Sequence, residues 1–318
     1  MKTFLRASVG LIFGGLLFWF AVSHVNLTDL ASTLKGARLD LMLVAVVVYW
    51  AGIAVRVIRW RILLSASCAI GFPQVAESLI VGYAVNNVLP ARLGELFRAD
   101  YIRRRFGVAR SAALGSIIVE RLLDAIAVLA MLAFGLLTAK LKPHQMALTA
   151  AAWLASAGIA AGVLFVVGTV SWHDRLPLDR WPWLRNRVTI LAQAMSIVHR
   201  PAAFLAVAAS AVVWALEAAA LELVLLGFGT PVDISGLSLI MGAAALSTLL
   251  PSAPGYVGSL QVAYYLAFSA LAITPVLAVV VSTATQILLL GSVTVVGLVL
   301  YLRHQLYRTA ISLKLGAR

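Results

Sequence analysis

The chain has 318 residues, 62% of them hydrophobic and only 12% charged, with a mean hydropathy of +0.99 and a formal net charge of +13 at pH 7. That apolar excess excludes an ordinary soluble domain, and the basic excess does not make a nucleic-acid binder, because the arginines flank apolar stretches instead of forming a basic domain. Cys68 is the only cysteine, so intrachain disulfides and Cys-based metal sites are excluded; the five histidines are scattered without metal-ligand spacing, and no metal or cofactor is expected.

Six apolar stretches long enough to cross a bilayer run near 7–23, 40–58, 111–138, 147–170, 201–228 and 275–302. The first resembles a signal peptide, with Lys2 and Arg6 ahead of its apolar run, but it is read as a retained helix. Residues 27–39 have the character of a short interfacial segment. A moderately apolar segment at 73–106 is centred on Leu89-Pro90-Ala91-Arg92-Leu93-Gly94, and a second at 233–272 is centred on Leu250-Pro251-Ser252-Ala253-Pro254-Gly255. Both cores read L-P-x-x-x-G, 161 residues apart. Proline lacks a backbone donor and glycine tolerates open backbone, so Pro90, Gly94, Pro251, Pro254, Gly255 and Gly258 are expected to break helices and to act as gating positions. Broken backbone survives in lipid only where protein or water covers it. Each segment is therefore predicted to be a re-entrant helical hairpin. At 174–199, Trp181, Trp183, Leu184, Val188, Leu191 and Met195 mostly follow helical spacing with arginines between, which predicts an interfacial helix on the cytoplasmic surface.

Charge placement orders these elements. With a cytoplasmic N-terminus and two re-entrant hairpins, 20 basic residues fall inside, Arg56, Arg59 and Arg61 among them. Four fall outside (Lys35, Arg38, Lys140, Lys142), with Arg121 inside the membrane. Turning either hairpin into one span would spoil that bias. The predicted fold is an all-α integral membrane protein with six spanning helices and two re-entrant hairpins. It forms a single transmembrane domain whose first repeat (40–138) and second repeat (201–302) have the same element order in opposite orientation. Inverted repeats of this kind are a common transporter architecture. The expected location is a bacterial cytoplasmic (inner) membrane, with both termini cytoplasmic.

The candidate site residues cluster around the breaks. Asn87 precedes the first one; Arg92, Glu95 and Arg98 follow it at three-residue spacing and form one stripe on a helix. The stripe is either an ordinary cytoplasmic ion-pair face or an anion pocket, since the planar guanidinium fork suits phosphate. Glu120, Arg121 and Asp124 lie inside the next span, spaced to meet on one side. Charges at that depth cost about 2.5–3.5 kcal/mol each, so they must face protein or water, as a structural network or as part of a substrate path. The second half offers neutral groups: Ser252, Tyr256 and Gln261 around its break, and Gln286 in the last span. Pairing of Glu217 or Glu222 with Arg121 across the bundle is left open.

Asn87, Leu89-Pro90, Arg92, Gly94-Glu95 and Arg98, followed by Glu120-Arg121 and Asp124, resemble the flippase-like transmembrane family, which includes the membrane half of lysylphosphatidylglycerol synthase. Leu250-Pro251, Pro254-Gly255 and Gly258 resemble its second signature, and the likeness runs from about Arg59 to Arg303. The family often carries Glu shortly after the second glycine, where this chain has Gln261; that tells against a proton-linked or cation-binding role there. The resemblance implies movement of an anionic or aminoacylated lipid, or a polyprenyl-phosphate-linked lipid, between leaflets. It does not imply lipid synthesis, since no aminoacyl-transfer domain is expected after residue 303. Arg92, Arg98 and Arg121 would hold the phosphate, with Glu95, Glu120 and Asp124 balancing them. No P-loop is present, so movement is passive or driven by an ion gradient. Membrane lipids are the expected partners, together with a second copy of the chain or a lipid-synthesis protein. The rival readings are a membrane-embedded lipid or polyprenyl-phosphate transferase and a non-transporting scaffold.

Overall fold

The computed structural model describes residues 15–21, 23, 33–65, 67–89, 93–139, 146–171, 185, 189, 201–249 and 253–316. The predicted interfacial helix at 174–199 lies outside these residues apart from Arg185 and Thr189, as do Pro90, Arg92, Pro251 and Ser252. Of the first predicted span, 15–21 is described and is helical.

Ten helices follow among the described residues, and no strand occurs there. They are α1 (Leu39–Leu64), α2 (Phe72–Val88), α3 (Gly94–Phe106), α4 (Arg110–Thr138), α5 (Met146–Ser171), α6 (Pro201–Gly227), α7 (Ile234–Ser247), α8 (Ser259–Ala270), α9 (Pro275–Thr285) and α10 (Gly291–Gly316). A 3-10 turn, Pro254–Tyr256, precedes α8, and a single π turn, Gln286–Leu290, joins α9 to α10. Among the described residues, three stretches are long and apolar enough to cross a membrane: Leu39–Leu64, Ala202–Gly227 and Pro275–Leu306. The 29-residue α4 has the length but is interrupted by Glu120, Arg121 and Asp124. The apolar α7 has only 14 residues, about 21 Å at 1.5 Å per residue, which is short of a bilayer core of about 30 Å.

Local chemistry sets the boundaries. Pro73 and Pro275 occupy first-turn positions of α2 and α9, where a missing N–H costs nothing. Gly107, at φ 75°, closes α3 in the left-handed conformation. The Asp233 carboxylate caps α7, accepting from the Gly236 N–H at 2.8 Å.

Both predicted breaks are present as helix–break–helix pairs, α2 with α3 and α7 with α8, and each pair packs on itself. Their glycines act differently. Gly94 is helical and lets α3 approach α2, since a Cβ there would lie 2.6 Å from the Asn86 N. Gly255 and Gly258 have φ of 70° and 88°, a region that disfavours side chains. Tyr256 shares that left-handed conformation at φ 64°, which costs a non-glycine residue about 1–2 kcal/mol.

The pairs also cross between halves. α1 lies along α6, α2 packs on α10, and α4 packs on α7. One apolar core gathers Tyr49, Ile53, Trp60, Leu79, Ile102 and Ile117 from α1–α4. A second gathers Leu225, Ile240, Tyr264, Phe268 and Val281 from α6–α9. The two cross-half contacts are unusually close. A Cβ on Gly297 of α10 would lie 2.5 Å from the Ala84 Cβ and 2.6 Å from the Ile80 carbonyl of α2. On the α4–α7 side, Gly135 meets Leu239 and Gly242 meets Leu132. Small residues allow the backbones this approach, which is how apolar helices gain packing without a hydrophobic driving force.

Candidate functional site

The buried charges form one network across four helices. Arg59 of α1, fully buried, donates from Nη1 to Asp124 Oδ1 at 2.7 Å and from Nη2 to Asp124 Oδ2 at 3.3 Å. It also donates to the Ser210 hydroxyl on α6 at 3.0 Å and lies 3.4 Å from Glu120 Oε1. Glu120, on α4 and equally buried, accepts from Arg98 of α3 at 2.9 Å and from Arg121 at 2.6 Å. Arg121 reaches Asp124 Oδ2 at 3.2 Å and Glu95 Oε1 at 3.4 Å. The Arg98 guanidinium stacks 4.2 Å from the centre of the Trp60 ring, whose indole N–H donates to Ser116 at 3.0 Å. Gly82 of α2 makes room for Arg98, since a Cβ there would come within 2.8 Å of the Arg98 Cβ.

Three arginines thus face three carboxylates, and the sum is neutral. Compensation of this kind lets charge sit in a chain otherwise this apolar, because an unpaired buried ion costs several kcal/mol. Exposure is uneven. The Arg59 and Glu120 side chains are fully covered and that of Arg98 is 2% exposed, whereas Arg121 is 39% exposed and Glu95 33%. The network is sealed at Arg59–Glu120–Arg98 and open at Arg121–Glu95.

A second ion pair, Arg56 on α1 with Glu217 on α6, stands beside it, with the Arg56 guanidinium 5.9 Å from the Trp214 ring. Glu217 therefore pairs with Arg56; Arg121 is committed to carboxylates of its own half. Glu222 makes no ion pair among the described residues. Tyr83 of α2 lies within electrostatic reach of both Arg56 and Arg121, yet its hydroxyl is buried without a hydrogen-bond partner among the described residues.

The two breaks meet each other. Asn86 Nδ2 donates to the Tyr256 hydroxyl at 2.9 Å, and the Gly255 Cα faces the Asn87 carbonyl. Asn87 Nδ2 donates to Thr294 Oγ1 at 2.9 Å and to the Leu290 carbonyl of the π turn at 3.4 Å. The same Leu290 carbonyl also accepts from the Thr294 hydroxyl at 2.7 Å, so Asn87 joins a hydrogen bond already made between the π turn and α10. On the other side, Gln261 Nε2 donates to Gln286 Oε1 at 2.6 Å while its Oε1 accepts from the Gly258 N–H at 2.8 Å. Gln286 in turn donates to the Gly255 carbonyl at 2.8 Å. Gln261 thus holds the second break in shape from beneath. Its amide both donates and accepts there, which a carboxylate could not do. Cys68, outside this region, is partly covered, and burial pushes its thiol pKa above the ordinary value.

Of the residues singled out from sequence, Glu95, Arg98, Glu120, Arg121 and Asp124 come together in the network, and Asn87, Tyr256 and Gln261 come together at the breaks. Arg92 and Ser252 lie outside the described residues. Arg59 and Arg56, read from the sequence as cytoplasmic flanking charges, are buried among helices instead. Arg59 is the hub the sequence reading missed. A span placed at 40–58 ended just before it, whereas α1 continues to Leu64. The available signal was the α1 continuation itself, which puts Arg56, Arg59, Trp60 and Leu63 on successive turns of one helix.

The sequence matches the family described as Lysylphosphatidylglycerol synthase TM region over residues 7–297. No curated protein matches the chain, and no solved structure does.

Proposed function

The chain belongs to the lysylphosphatidylglycerol synthase TM-region family, a membrane-protein family of lipid-related function, and from that premise we propose that it moves a lipid between the leaflets of a membrane. The proposed substrate is a lipid with an anionic, aminoacylated or polyprenyl-phosphate-linked headgroup. The proposed setting is a bacterial inner membrane, with six spans, two re-entrant hairpins in inverted repeats, and both termini cytoplasmic.

The observation that carries this reading is the exposure gradient of the charge network. Arg59, Arg98 and Glu120 are covered and paired with opposite charge, while Arg121 is 39% exposed and Glu95 33%. A headgroup cannot cross hydrocarbon cheaply, because its lost hydration must be replaced. A half-open guanidinium within electrostatic reach of the Tyr83 hydroxyl supplies such a replacement while acyl chains stay in lipid. The Tyr83 hydroxyl and Asn86 Oδ1 are buried without partners among the described residues, so both are free to bond a headgroup or a water carried with it. Arg121 is accordingly assigned the phosphate contact, and Arg92 is proposed to share it. Arg98, committed to Glu120 and Trp60, becomes a positioning residue.

The test uses purified protein in liposomes carrying a fluorescent phospholipid whose outer-leaflet copies are bleached by a membrane-impermeant reductant. Arg121→Ala is expected to reduce lipid movement to that of protein-free liposomes, with Arg121→Lys intermediate, while both variants elute as folded protein. Movement by Arg121→Ala at the parent rate would sink the assignment. The family description is that of a synthase's membrane region, which supports a second reading as a lipid transferase. A chemically altered lipid after incubation with donor and acceptor lipids would favour it, since a transporter returns its substrate unchanged.

A further inference from the structure

Among the described ion pairs, only Arg56–Glu217 joins the two halves of the chain; the others lie within the first half. It is also less sealed than the network beside it. The Glu217 side chain is 28% exposed, against none of Glu120 and 10% of Asp124. The polar groups around the pair are not spent. The Tyr83 hydroxyl and the Trp214 indole N–H are both buried without a hydrogen-bond partner among the described residues. The Trp214 ring lies 5.9 Å from the Arg56 guanidinium, and Tyr83 is within electrostatic reach of Arg56 and Arg121 alike. Tyr49 is within the same reach of Arg56 and Glu217.

Charge balance then limits what can bind here. A phosphate that takes the Tyr83 hydroxyl and Arg121 comes within the field of Arg56 and draws that guanidinium as well. Arg121 keeps its carboxylates, Glu95, Glu120 and Asp124. Glu217 has Arg56 as its one cationic partner among the described residues, and loses it. A headgroup with a phosphate alone therefore leaves a carboxylate unpaired inside an apolar helix bundle, which is strongly unfavourable. A headgroup with a phosphate and an ammonium a few bonds apart does not. One ion pair in the protein and one in the headgroup become two pairs between them, Arg56 with phosphate and Glu217 with ammonium, and every charge stays matched.

We propose that Arg56 and Glu217 form a subsite that selects a zwitterionic headgroup. Arg56 joins Arg121 and Tyr83 on the phosphate, and Glu217 accepts from the ammonium, whose remaining N–H groups are within range of the Tyr49 hydroxyl. The substrate class is a phospholipid with a free primary amine close to its phosphate and no net charge; a headgroup bearing phosphate alone is disfavoured. This rests on the transport reading above, whose range of headgroups it narrows.

The test compares two probes in the liposome assay, each labelled on an acyl chain: phosphatidylethanolamine, and the same lipid with its amine acetylated, which keeps the phosphate and loses the cation. The parent protein is expected to move the free-amine probe at least about tenfold faster. Glu217→Gln keeps the shape of the side chain and leaves Arg56 without its carboxylate, so the preference is expected to invert towards the acetylated probe. Arg56→Gln/Glu217→Gln removes both charges and is expected to move the two probes equally; it leaves no lone buried ion, so a folding defect in the single variant does not close the question. Equal rates in the parent, or a free-amine preference that survives in the double variant, would overturn the subsite. If the parent moves neither probe, the transport reading fails instead. Calorimetric binding of short-chain forms of the two probes to the parent and the double variant in detergent then decides the subsite. At least about tenfold tighter binding of the free amine by the parent alone supports it, and equal affinities refute it.

Discussion

Arg59→Met removes the hub of the network while keeping most of its volume. Asp124 loses two donors, at 2.7 and 3.3 Å, and Glu120 loses a cation at 3.4 Å, in surroundings where Arg59 and Glu120 are wholly covered. Asp124 keeps Arg121 at 3.2 Å, and Glu120 keeps Arg98 and Arg121, so neither carboxylate is abandoned completely. Removing one member of a buried pair costs about 3–5 kcal/mol, most of it the penalty of the charge left behind. At a few degrees per kcal/mol, the thermal midpoint in detergent is expected to fall by roughly 10 °C. The double variant Arg59→Met/Asp124→Leu removes both members and is expected to recover at least half of that loss, because a buried ion pair replaced by packed apolar groups is often near neutral. Thermal unfolding followed by intrinsic fluorescence measures the parent, Arg59→Met, Asp124→Leu and the double variant. A shift under about 2 °C for the single variant would show that Arg59 is solvated rather than sealed. A double variant as unstable as the sum of the singles would show that Arg59 and Asp124 do not act as a pair.

Gly297→Val should destabilise by about 1–3 kcal/mol, seen in the same thermal assay, because the new side chain would start 2.5 Å from the Ala84 Cβ and 2.6 Å from the Ile80 carbonyl and so push α10 off α2. Gly258→Ala should cost about 1–2 kcal/mol through its φ of 88°. If it costs nothing, the break does not hold that conformation in the membrane. Gln261→Glu leaves two acceptors facing each other where Nε2 now donates at 2.6 Å, so Gln286 must turn and release the Gly255 carbonyl. The expected cost is about 1–3 kcal/mol, with faster protease cleavage near residue 255 as the local readout.

The helices were legible because their signal is strong and local. Long apolar runs with Pro and Gly punctuation mark α1, α4, α5, α6 and the two broken segments, and the predicted limits of α4 and α6 fall within a residue or so of those observed. The breaks were legible as breaks for the same reason. Their partners were not. Nothing in the sequence says that Asn86 bonds a tyrosine 170 residues away, or that Asn87 donates to Thr294 and the Leu290 carbonyl some 200 residues on. The network was legible on the α3–α4 side, where charge spacing does the work. It was lost on α1, because an arginine at the end of an apolar run has the same sequence signature whether it flanks the membrane or turns back into protein. Arg59 went the second way because Asp124 and Ser210 lie within its reach, a fact of tertiary packing alone.

The difference between the halves follows from the same facts. At the 165-residue displacement between the starts of α3 and α8 and of α4 and α9, Arg98, Glu120, Arg121 and Asp124 of the first half correspond to Ala263, Thr285, Gln286 and Leu289 of the second. A charged network can be sealed on three sides and open on one only if its countercharges are close, and the first half supplies them from α1, α3 and α4. The second half, lacking charge, holds its break through the Gln261–Gln286 amide pair and the backbone of Gly255 and Gly258. Neutral hydrogen bonds are individually weaker than ion pairs and cheaper to exchange.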